Sequence, residues 1–322
     1  MTYRWLLPEF IEDLLPPDAW RLESARRELL DLFRGQGFQL VMPPLLEYIE
    51  SLQAGTGRDM DLLTFRLVDQ LSGRQLGLRA DTTLQVARID AHGMNHQGVN
   101  RLCYAGSILH ARPEGLNQSR EPFQVGAEIY GLGGLEGDIE IQELMLEALK
   151  RTGLPKVTLD VGHVGLFRTL SRLAGLDGKA EGEWFEALQN KDLPALHALS
   201  SALGTPEGDA LARLGRLNGD REVLGQAHRL LPQVPEIRQA LSELEAVAAH
   251  FGQRVPLAFD LAELRGYHYH SGLVFAAYAE GYPDAVARGG RYDDIGRAFG
   301  RARPATGFSL DLRELLPSLP SS

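Results

Sequence analysis

Residues 101–109, Arg101-Leu102-Cys103-Tyr104-Ala105-Gly106-Ser107-Ile108-Leu109, and residues 123–130, Phe123-Gln124-Val125-Gly126-Ala127-Glu128-Ile129-Tyr130, decide the fold class. Each reads as a strand rich in apolar, β-compatible side chains. Between them Ala111 to Glu121, with Pro113, Gly115 and Asn117, reads as a loop. In the second strand a period of two places Gln124, Gly126 and Glu128 on one face, and Val125 and Ala127 on the other, facing the core. A side-chain-free gap between two polar groups suits a small polar ligand. A solvated outer face of the sheet accounts for Gln124 and Glu128 as simply.

Upstream, Pro16 and Pro17 precede Asp18, a candidate helix cap, and Leu22, Ala25, Leu29 and Phe33 recur at helical spacing. Gly35 and Gly37 end that helix. Phe38 to Val41 then reads as a strand stopped by Pro43 and Pro44. Leu62 to Val68 and Gln75 to Arg79, joined by Asp69 to Arg74, read as a hairpin. Asp81 and Thr82 are candidate caps for a helix running to about Ala91. Downstream, Ile139, Ile141, Leu144, Met145, Ala148 and Leu149 mark a helix from about Asp138 to Arg151.

Composition shifts after Asp160 to Leu- and Ala-rich helical text, including Val164 to Leu173, Leu193 to Leu199 and Ile237 to Phe251. Strand-like text resumes at Val255 to Phe259, Gly272 to Tyr278, Val286 to Ala287 and Thr306 to Leu310. Arg291 to Phe299 and Asp311 to Leu316 are expected as helices, the last ending at Pro317. The expected architecture is α+β, a mixed but mostly antiparallel sheet flanked by helices. Its core is discontinuous, residues 1–164 and 252–322, and residues 165–251 form a small helical insertion domain.

The chain has 322 residues, 44% of them apolar, enough for a large core. No run approaches the ~20 apolar residues of a membrane span, and Met1 to Leu15 does not read as a signal peptide. Lone Cys103 excludes an intramolecular disulfide and a cysteine-cluster metal site, which fits a reducing cytosol. The formal net charge of -10, without a basic run, speaks against nucleic acid as a partner.

Four clusters carry recognition chemistry. Leu78-Arg79-Ala80-Asp81-Thr82-Thr83 offers a carboxylate beside hydroxyls, either a helix cap or an acceptor for an ammonium group. Gln124 and Glu128 form the second. Leu264-Arg265-Gly266-Tyr267-His268-Tyr269-His270-Ser271-Gly272 sets a guanidinium suited to a carboxylate beside Tyr269 and His270, suited to a ring. Its two histidines lack an adjacent acidic partner, which makes metal binding a poor reading. Arg288-Gly289-Gly290-Arg291-Tyr292-Asp293 reads as a tight turn leading into a helix. No phosphate-binding P-loop, nucleophile elbow or metalloprotease motif is present, and no cofactor is implied.

In this order, over about Arg4 to Leu316, the clusters resemble the class II histidyl-tRNA synthetase family. Leu264 to Gly272 is similar to that family's Val-Arg-Gly-Leu-Asp-Tyr-Tyr-Thr-Gly, and Gly289 to Asp293 matches Gly-Gly-Arg-Tyr-Asp. Leu78 to Thr83 resembles Leu-Arg-Pro-Glu-Gly-Thr. The resemblance implies a class II synthetase-like core and a histidine pocket. Asp81, Thr83, Gln124 and Glu128 stand where the family holds the α-ammonium or ring, Arg265 stands near the carboxylate, and Tyr269 and His270 stand where a tyrosine pair closes on histidine. Arg112 completes the candidate set.

Two motifs depart from the family. Phe-Arg-x-Glu-Arg-Pro is here Ile108-Leu109-His110-Ala111-Arg112-Pro113, so Leu109 replaces the arginine on the ATP α-phosphate and Ala111 the glutamate that recognises ATP. Gly-Phe-x-x-Gly-Leu-Glu-Arg is here Gly307 to Glu314, with Glu314 at the arginine and Asp311 at the second glycine. Losing one such donor costs ~3 kcal/mol of transition-state stabilisation. The family's anticodon-binding domain would begin about where this chain stops.

That combination resembles the ATP phosphoribosyltransferase regulatory subunit family. It implies a cytoplasmic, catalytically silent chain that self-dimerises within a hetero-octamer. Its expected partner is a short-form ATP phosphoribosyltransferase catalytic subunit, and its expected ligand is histidine, the feedback signal of that pathway. The alternatives are a truncated active histidyl-tRNA synthetase-like enzyme, with Arg79 or Arg112 compensating, and a tRNA-binding adaptor.

Overall fold

The computed structural model describes residues 6–52, 62–94, 96–113 and 118–320, which pack as two compact units, Met1–Pro155 with Asp293–Ser322, and Lys156–Tyr292. Gly115 and Asn117, expected in a loop, lie outside the described residues.

The first unit begins with α1 (Asp18–Gly35), which buries Leu22, Ala25, Leu29 and Phe33. Those four positions fall on one stripe of a 3.6-residue helix. Asp18 does not cap it. Pro17 occupies the cap position, and the Asp18 carboxylate accepts from Arg21 Nη1 at 2.9 Å. The stripe packs on a sheet ordered β1 (Gln39–Leu40), β5 (Asn100–Ser107), β6 (Phe123–Tyr130) and β12 (Ala305–Asp311). The β1–β5 pair is parallel; β5–β6 and β6–β12 are antiparallel.

The expected hairpin is present as β3 (Arg66–Val68) and β4 (Gln75–Leu78), with β2 (Leu46–Tyr48) on the far side of β4. Short α2 (Ile49–Leu52) follows β2. The helix after Asp81 is shorter than its sequence suggests: α3 (Thr83–Arg88) widens into a π-helical turn, Ile89–Met94. Then α4 (Leu135–Arg151) covers β6 and β12.

Phe33 packs edge-on against Phe308 at 6.0 Å and tilts against Phe38 at 6.3 Å. Cys103 lies in this core, where burial pushes its thiol up to about 11, which suits an inert apolar side chain.

In the second unit the strand order is β11 (Ala287–Arg291), β10 (Leu273–Tyr278), β7 (Thr158–His163), β9 (Leu257–Asp260) and β8 (Asn218–Gly219). Only β7–β9 is parallel among these pairs. Between β7 and β9 run α5 (Val164–Leu173), α6 (Gly178–Gln189), α7 (Leu193–Leu203), α8 (Pro206–Leu214), α9 (Glu222–Leu230) and α10 (Pro235–Phe251). Their starts follow local capping chemistry. The side chains of Asp177, Asp192 and Thr205 accept from Ala180 N, Ala195 N and Gly208 N. These helices pack with the strands around them, so the compact boundary falls at Pro155 and Asp293.

Two expected helices are absent. Arg291 closes β11, where Val274↔Gly290 and Ala276↔Arg288 pair, and only a short 3₁₀ turn, Ile295–Phe299, follows. Strand pairing overrides the turn that Gly289-Gly290 suggests locally. Asp311 ends β12, and its carboxylate accepts from Arg313 N at 2.9 Å, an Asx turn that starts a series of turns. Among the described residues no helix is long and apolar enough to cross a membrane.

Phe33→Ala is expected to lower the unfolding free energy by ~3–5 kcal/mol in urea titrations, whereas Trp20→Ala, at a position 61% exposed, changes it by ~0.5 kcal/mol or less. Equal effects of the two would place the core elsewhere.

Candidate functional site

The registers of β5, β6 and β12 build one cluster in the first unit. Tyr104 pairs with Gly126 across β5–β6, and Glu128 pairs with Gly307 across β6–β12. A Cβ at Gly126 would lie 2.4 Å from the Tyr104 hydroxyl oxygen, and a Cβ at Gly307 would lie 1.4 Å from Glu128 Oε2. Each glycine thus vacates the space that a polar side chain of the next strand fills. This corrects the sequence-based expectation of an open gap at Gly126: Tyr104 occupies it. It also removes the solvated-face reading, since Gln124 and Glu128 are buried, Glu128 to 1% exposure.

The side chains form a continuous hydrogen-bonded chain. Ser309 Oγ accepts from Gln124 Nε2 at 3.2 Å, and the same nitrogen donates to Asp81 Oδ1 at 2.7 Å. Gln124 Oε1 accepts from Thr82 N at 3.0 Å, fixing which end of the amide faces which partner. Asp81 Oδ1 also accepts from Thr83 N at 3.2 Å and Thr83 Oγ1 at 3.3 Å. Thr82 holds the N-cap position of α3 without a side-chain cap bond, and Asp81 takes the amide of Thr83 in an Asx turn while binding Gln124. Thr83 Oγ1 lies 3.3 Å from the Tyr104 hydroxyl, which donates to Glu128 Oε1 at 3.1 Å. Burial first, then the charges of Glu128 and Asp81, hold the Tyr104 hydroxyl well above the usual phenol range, so it remains a donor.

Asp81, Thr83, Gln124 and Glu128 are thus brought together, and Tyr104, Gly307 and Ser309 join them. Sequence reading missed those three; once β5, β6 and β12 are in register, Tyr104 opposite Gly126 and Glu128 opposite Gly307 become visible. Two carboxylates and a neutral donor–acceptor chain make this an acceptor-rich site, suited to an ammonium or a ring N–H. Arg79 is the cation nearby, with Nε and Nη2 on the Ser107 carbonyl and Nη1 on that of Pro43.

Arg112 is exposed, and no described contact joins it to this cluster. Leu109 donates its backbone N–H to the Arg79 carbonyl at 3.0 Å. Glu314 accepts from Gln118 Nε2 at 2.8 Å, and Arg313 faces Glu121 at 3.4 Å. Asp311 is turned inward, its Oδ1 accepting from Phe123 N at 2.8 Å and Arg313 N. Burial raises its pKa. Its charge serves two backbone amides of the fold.

The second unit carries Arg265, Tyr269 and His270 on the loop between β9 and β10. Arg265 Nη1 lies 3.6 Å from Asp284, which also pairs with Arg288 at 2.5 Å. Tyr269 stacks on Tyr292 with centroids 4.8 Å apart and meets the His270 ring edge-on at 5.1 Å. His270 sits in a slot between two glycines. Cβ atoms at Gly266 and Gly290 would lie 2.7 Å and 2.6 Å from its ring, and Gly266 has a φ of +65°. Its Nδ1 points at the Arg265 carbonyl at 3.3 Å. Burial, chiefly, lowers the imidazole pKa to about 4, so the ring is neutral at pH 7. Among the described residues no group of three or more His, Cys, Asp or Glu side chains is arranged to hold a metal ion.

A model of the histidyl-tRNA synthetase family matches residues 10–315. The ATP phosphoribosyltransferase regulatory subunit of Ralstonia nicotianae is 60% identical over 311 residues, covering 97% of this chain and 80% of that protein. That of Thiobacillus denitrificans is 58% identical over 312 residues, 97% of each. The chain belongs to the family of ATP phosphoribosyltransferase regulatory subunits. A crystal structure from Bacillus halodurans, described as an ATP phosphoribosyltransferase regulatory subunit/histidyl-tRNA synthetase, superposes with a TM-score of 0.88 at 26% identity, over 99% of this chain and 84% of that one. Histidyl-tRNA synthetase from Nostoc shares the fold at a TM-score of 0.79 and 17% identity, over 98% of this chain and 75% of its own. The family's class II synthetase-like core and helical insertion are therefore present here, with the substitutions at Leu109, Ala111 and Glu314.

Two outcomes follow from this geometry. Gly307→Ala is expected to displace the Glu128 side chain and to destabilise the fold by more than ~2 kcal/mol, measured by urea titration; no change would mean that Glu128 does not fill that space. For His270, the unfolded chain takes the proton at about 6.5 and the folded chain only at about 4. Its contribution is complete above about pH 6.5 and is lost as pH falls toward 4. His270→Phe should flatten the stability–pH slope in that window, and an imidazole found protonated at pH 6 by NMR would contradict the desolvation of the ring.

Proposed function

We propose that this chain is a non-adenylating regulatory subunit of ATP phosphoribosyltransferase, in the first step of histidine biosynthesis in the cytosol. It activates a short catalytic subunit and binds histidine as the feedback signal. The observation that carries this reading is the pairing of an intact acceptor-rich cluster with missing ATP-binding groups. Asp81, Thr83, Gln124 and Glu128 remain hydrogen-bonded in one network, while Leu109, Ala111 and Glu314 stand where the family binds ATP.

Asp81 and Glu128 supply acceptors for the α-ammonium or imidazole N–H of histidine, with Gln124 and Thr83 setting their orientation. By the family resemblance, Arg265 recognises the carboxylate, and Tyr269 and His270 recognise the ring. A neutral leucine offers an α-phosphate no charge, and a carboxylate at position 314 repels it. Arg79 keeps its charge but has Nε, Nη1 and Nη2 committed to the carbonyls of Ser107 and Pro43.

The catalytic partner comes from the names of the relatives. One chain of the Thermotoga maritima complex described as an ATP phosphoribosyl transferase shares the fold at a TM-score of 0.68 and 18% identity, over 93% of this chain and 98% of that one. We infer a self-dimer within a hetero-octamer from the same family. Exposed apolar side chains on and beside β1, β2 and β3, among them Leu40, Met42, Leu46, Leu67, Val68 and Leu71, are consistent with contacts to a second copy.

Turnover of a short catalytic subunit is expected to rise when this chain is added, and histidine is expected to suppress the rise. No stimulation would remove the regulatory reading. Histidine-dependent exchange between ATP and pyrophosphate by this chain alone would reinstate an adenylating enzyme. Glu128→Ala should weaken calorimetric histidine binding by ~10- to 100-fold, the loss of one hydrogen bond to a charged group. Unchanged affinity in the folded variant would move histidine elsewhere.

A further inference from the structure

The loop Leu264–Gly272 is held from behind by contacts that ligand recognition leaves unused. Its C-terminal end is tied by backbone bonds, Ser271 N to Arg291 O at 2.7 Å and Val164 N to Gly272 O at 3.1 Å, whereas along Leu264–His270 the backbone bonds are short-range turns, Tyr267 N to Leu264 O at 2.9 Å and Tyr269 N and His270 N to Gly266 O, each at 2.8 Å. Turns with a glycine at positive φ do not by themselves fix a loop against its scaffold. For the middle of the loop the fixing comes from Tyr267, which is 6% exposed. Its hydroxyl donates to Glu181 Oε1 on α6 at 2.5 Å. Its ring meets Phe167 of α5 edge-on at 5.2 Å and tilts against Phe185 of α6 at 5.7 Å.

Arg168 of α5 completes the clamp. Its guanidinium lies 5.2 Å from the Tyr267 ring centroid, and its Nη2 donates to the carbonyls of Tyr267 at 3.3 Å and His270 at 2.9 Å. Arg265, Tyr269 and His270 thus belong to a loop whose middle residue is latched to α6.

We propose that Tyr267 is a positioning residue, whose latch to Glu181 holds the Arg265–His270 loop in its ligand-competent conformation and couples helix α6 to histidine affinity. This rests on the reading of that loop as histidine-recognising. Release of the latch lets the loop leave its position, and apparent affinity falls by the fraction of molecules that remain competent. A competent fraction of ~10–30% weakens binding ~3- to 10-fold.

The test uses the full chain, calorimetry with L-histidine, and hydrogen exchange at the amides of residues 264–272. Tyr267→Phe keeps the ring contacts and removes only the hydroxyl. It and Glu181→Ala are each expected to weaken histidine ~3- to 10-fold and to speed exchange in the loop. Glu181→Gln keeps an acceptor and should recover most of the affinity, which a general loss of packing would not do. Unchanged affinity in Tyr267→Phe and Glu181→Ala overturns the coupling, as does faster loop exchange without weaker binding. If the unsubstituted chain binds no histidine, the pocket reading fails and the coupling with it. A chain that binds histidine while the variants match it refutes the latch alone.

Discussion

A carboxylate buried to 1% exposure must be satisfied within the protein, and the first unit is arranged around that requirement at Glu128. Its Oε1 takes the Tyr104 hydroxyl, and its Oε2 occupies the space over Gly307. The Tyr104 ring in turn needs the bare backbone of Gly126. Two glycines on neighbouring strands therefore belong to the polar chemistry of Glu128 as much as to the sheet. The remaining members, Thr83, Asp81, Gln124 and Ser309, extend the network outward until it reaches a half-buried carboxylate at Asp81. A satisfied buried polar network is rigid, and a rigid acceptor array keeps ligand orientation without reorganising on binding.

The segments that follow β5 and β12 carry this chain's departures from the synthetase motifs. In the family this chain resembles, two arginines and a glutamate bind ATP beside such a cluster. Here Leu109 supplies only a backbone donor, and Glu314 is hydrogen-bonded to Gln118. Asp311 is more instructive. As a sequence change it reads as one more negative charge against a triphosphate. In the fold its carboxylate binds the backbone N–H groups of Phe123 and Arg313, so it fastens the end of β12 to the start of β6. A position where the synthetase motif has a glycine thus holds a side chain committed to structure. The electrostatic case against adenylation therefore rests on Leu109 and Glu314.

Much of this was legible in the sequence. The α1 stripe, the β5–β6 pair, the hairpin and the helices of 164–251 follow from periodicity and punctuation, since burial of one face writes itself into the spacing of apolar residues. The membership of Asp81, Thr83, Gln124 and Glu128 came from motifs. What stayed hidden depended on register between strands far apart in sequence. Tyr104 looks like an ordinary strand aromatic until it is set opposite Gly126, and Gly307 looks like a strand glycine until Glu128 lies over it. The two helices expected at Arg291–Phe299 and Asp311–Leu316 failed for a related reason. Pairing with β10 and an Asx turn decided those segments, and neither leaves a helical or non-helical period behind.

The loop of the second unit obeys a different economy. It has no strand partners along Arg265–His270, so its shape depends on side chains wedged behind it and on glycines that admit His270. Gly266 and Gly290 leave a slot that fits an imidazole; Tyr267 and Arg168 tie the other side to α5 and α6. Cβ atoms at either glycine would fall within 2.7 Å of the imidazole, so both positions must stay bare for the ring to sit there. The histidine at position 270 and the tyrosine at position 267 thus hold the loop from two sides, the imidazole between bare backbone segments and the phenol against α5 and α6.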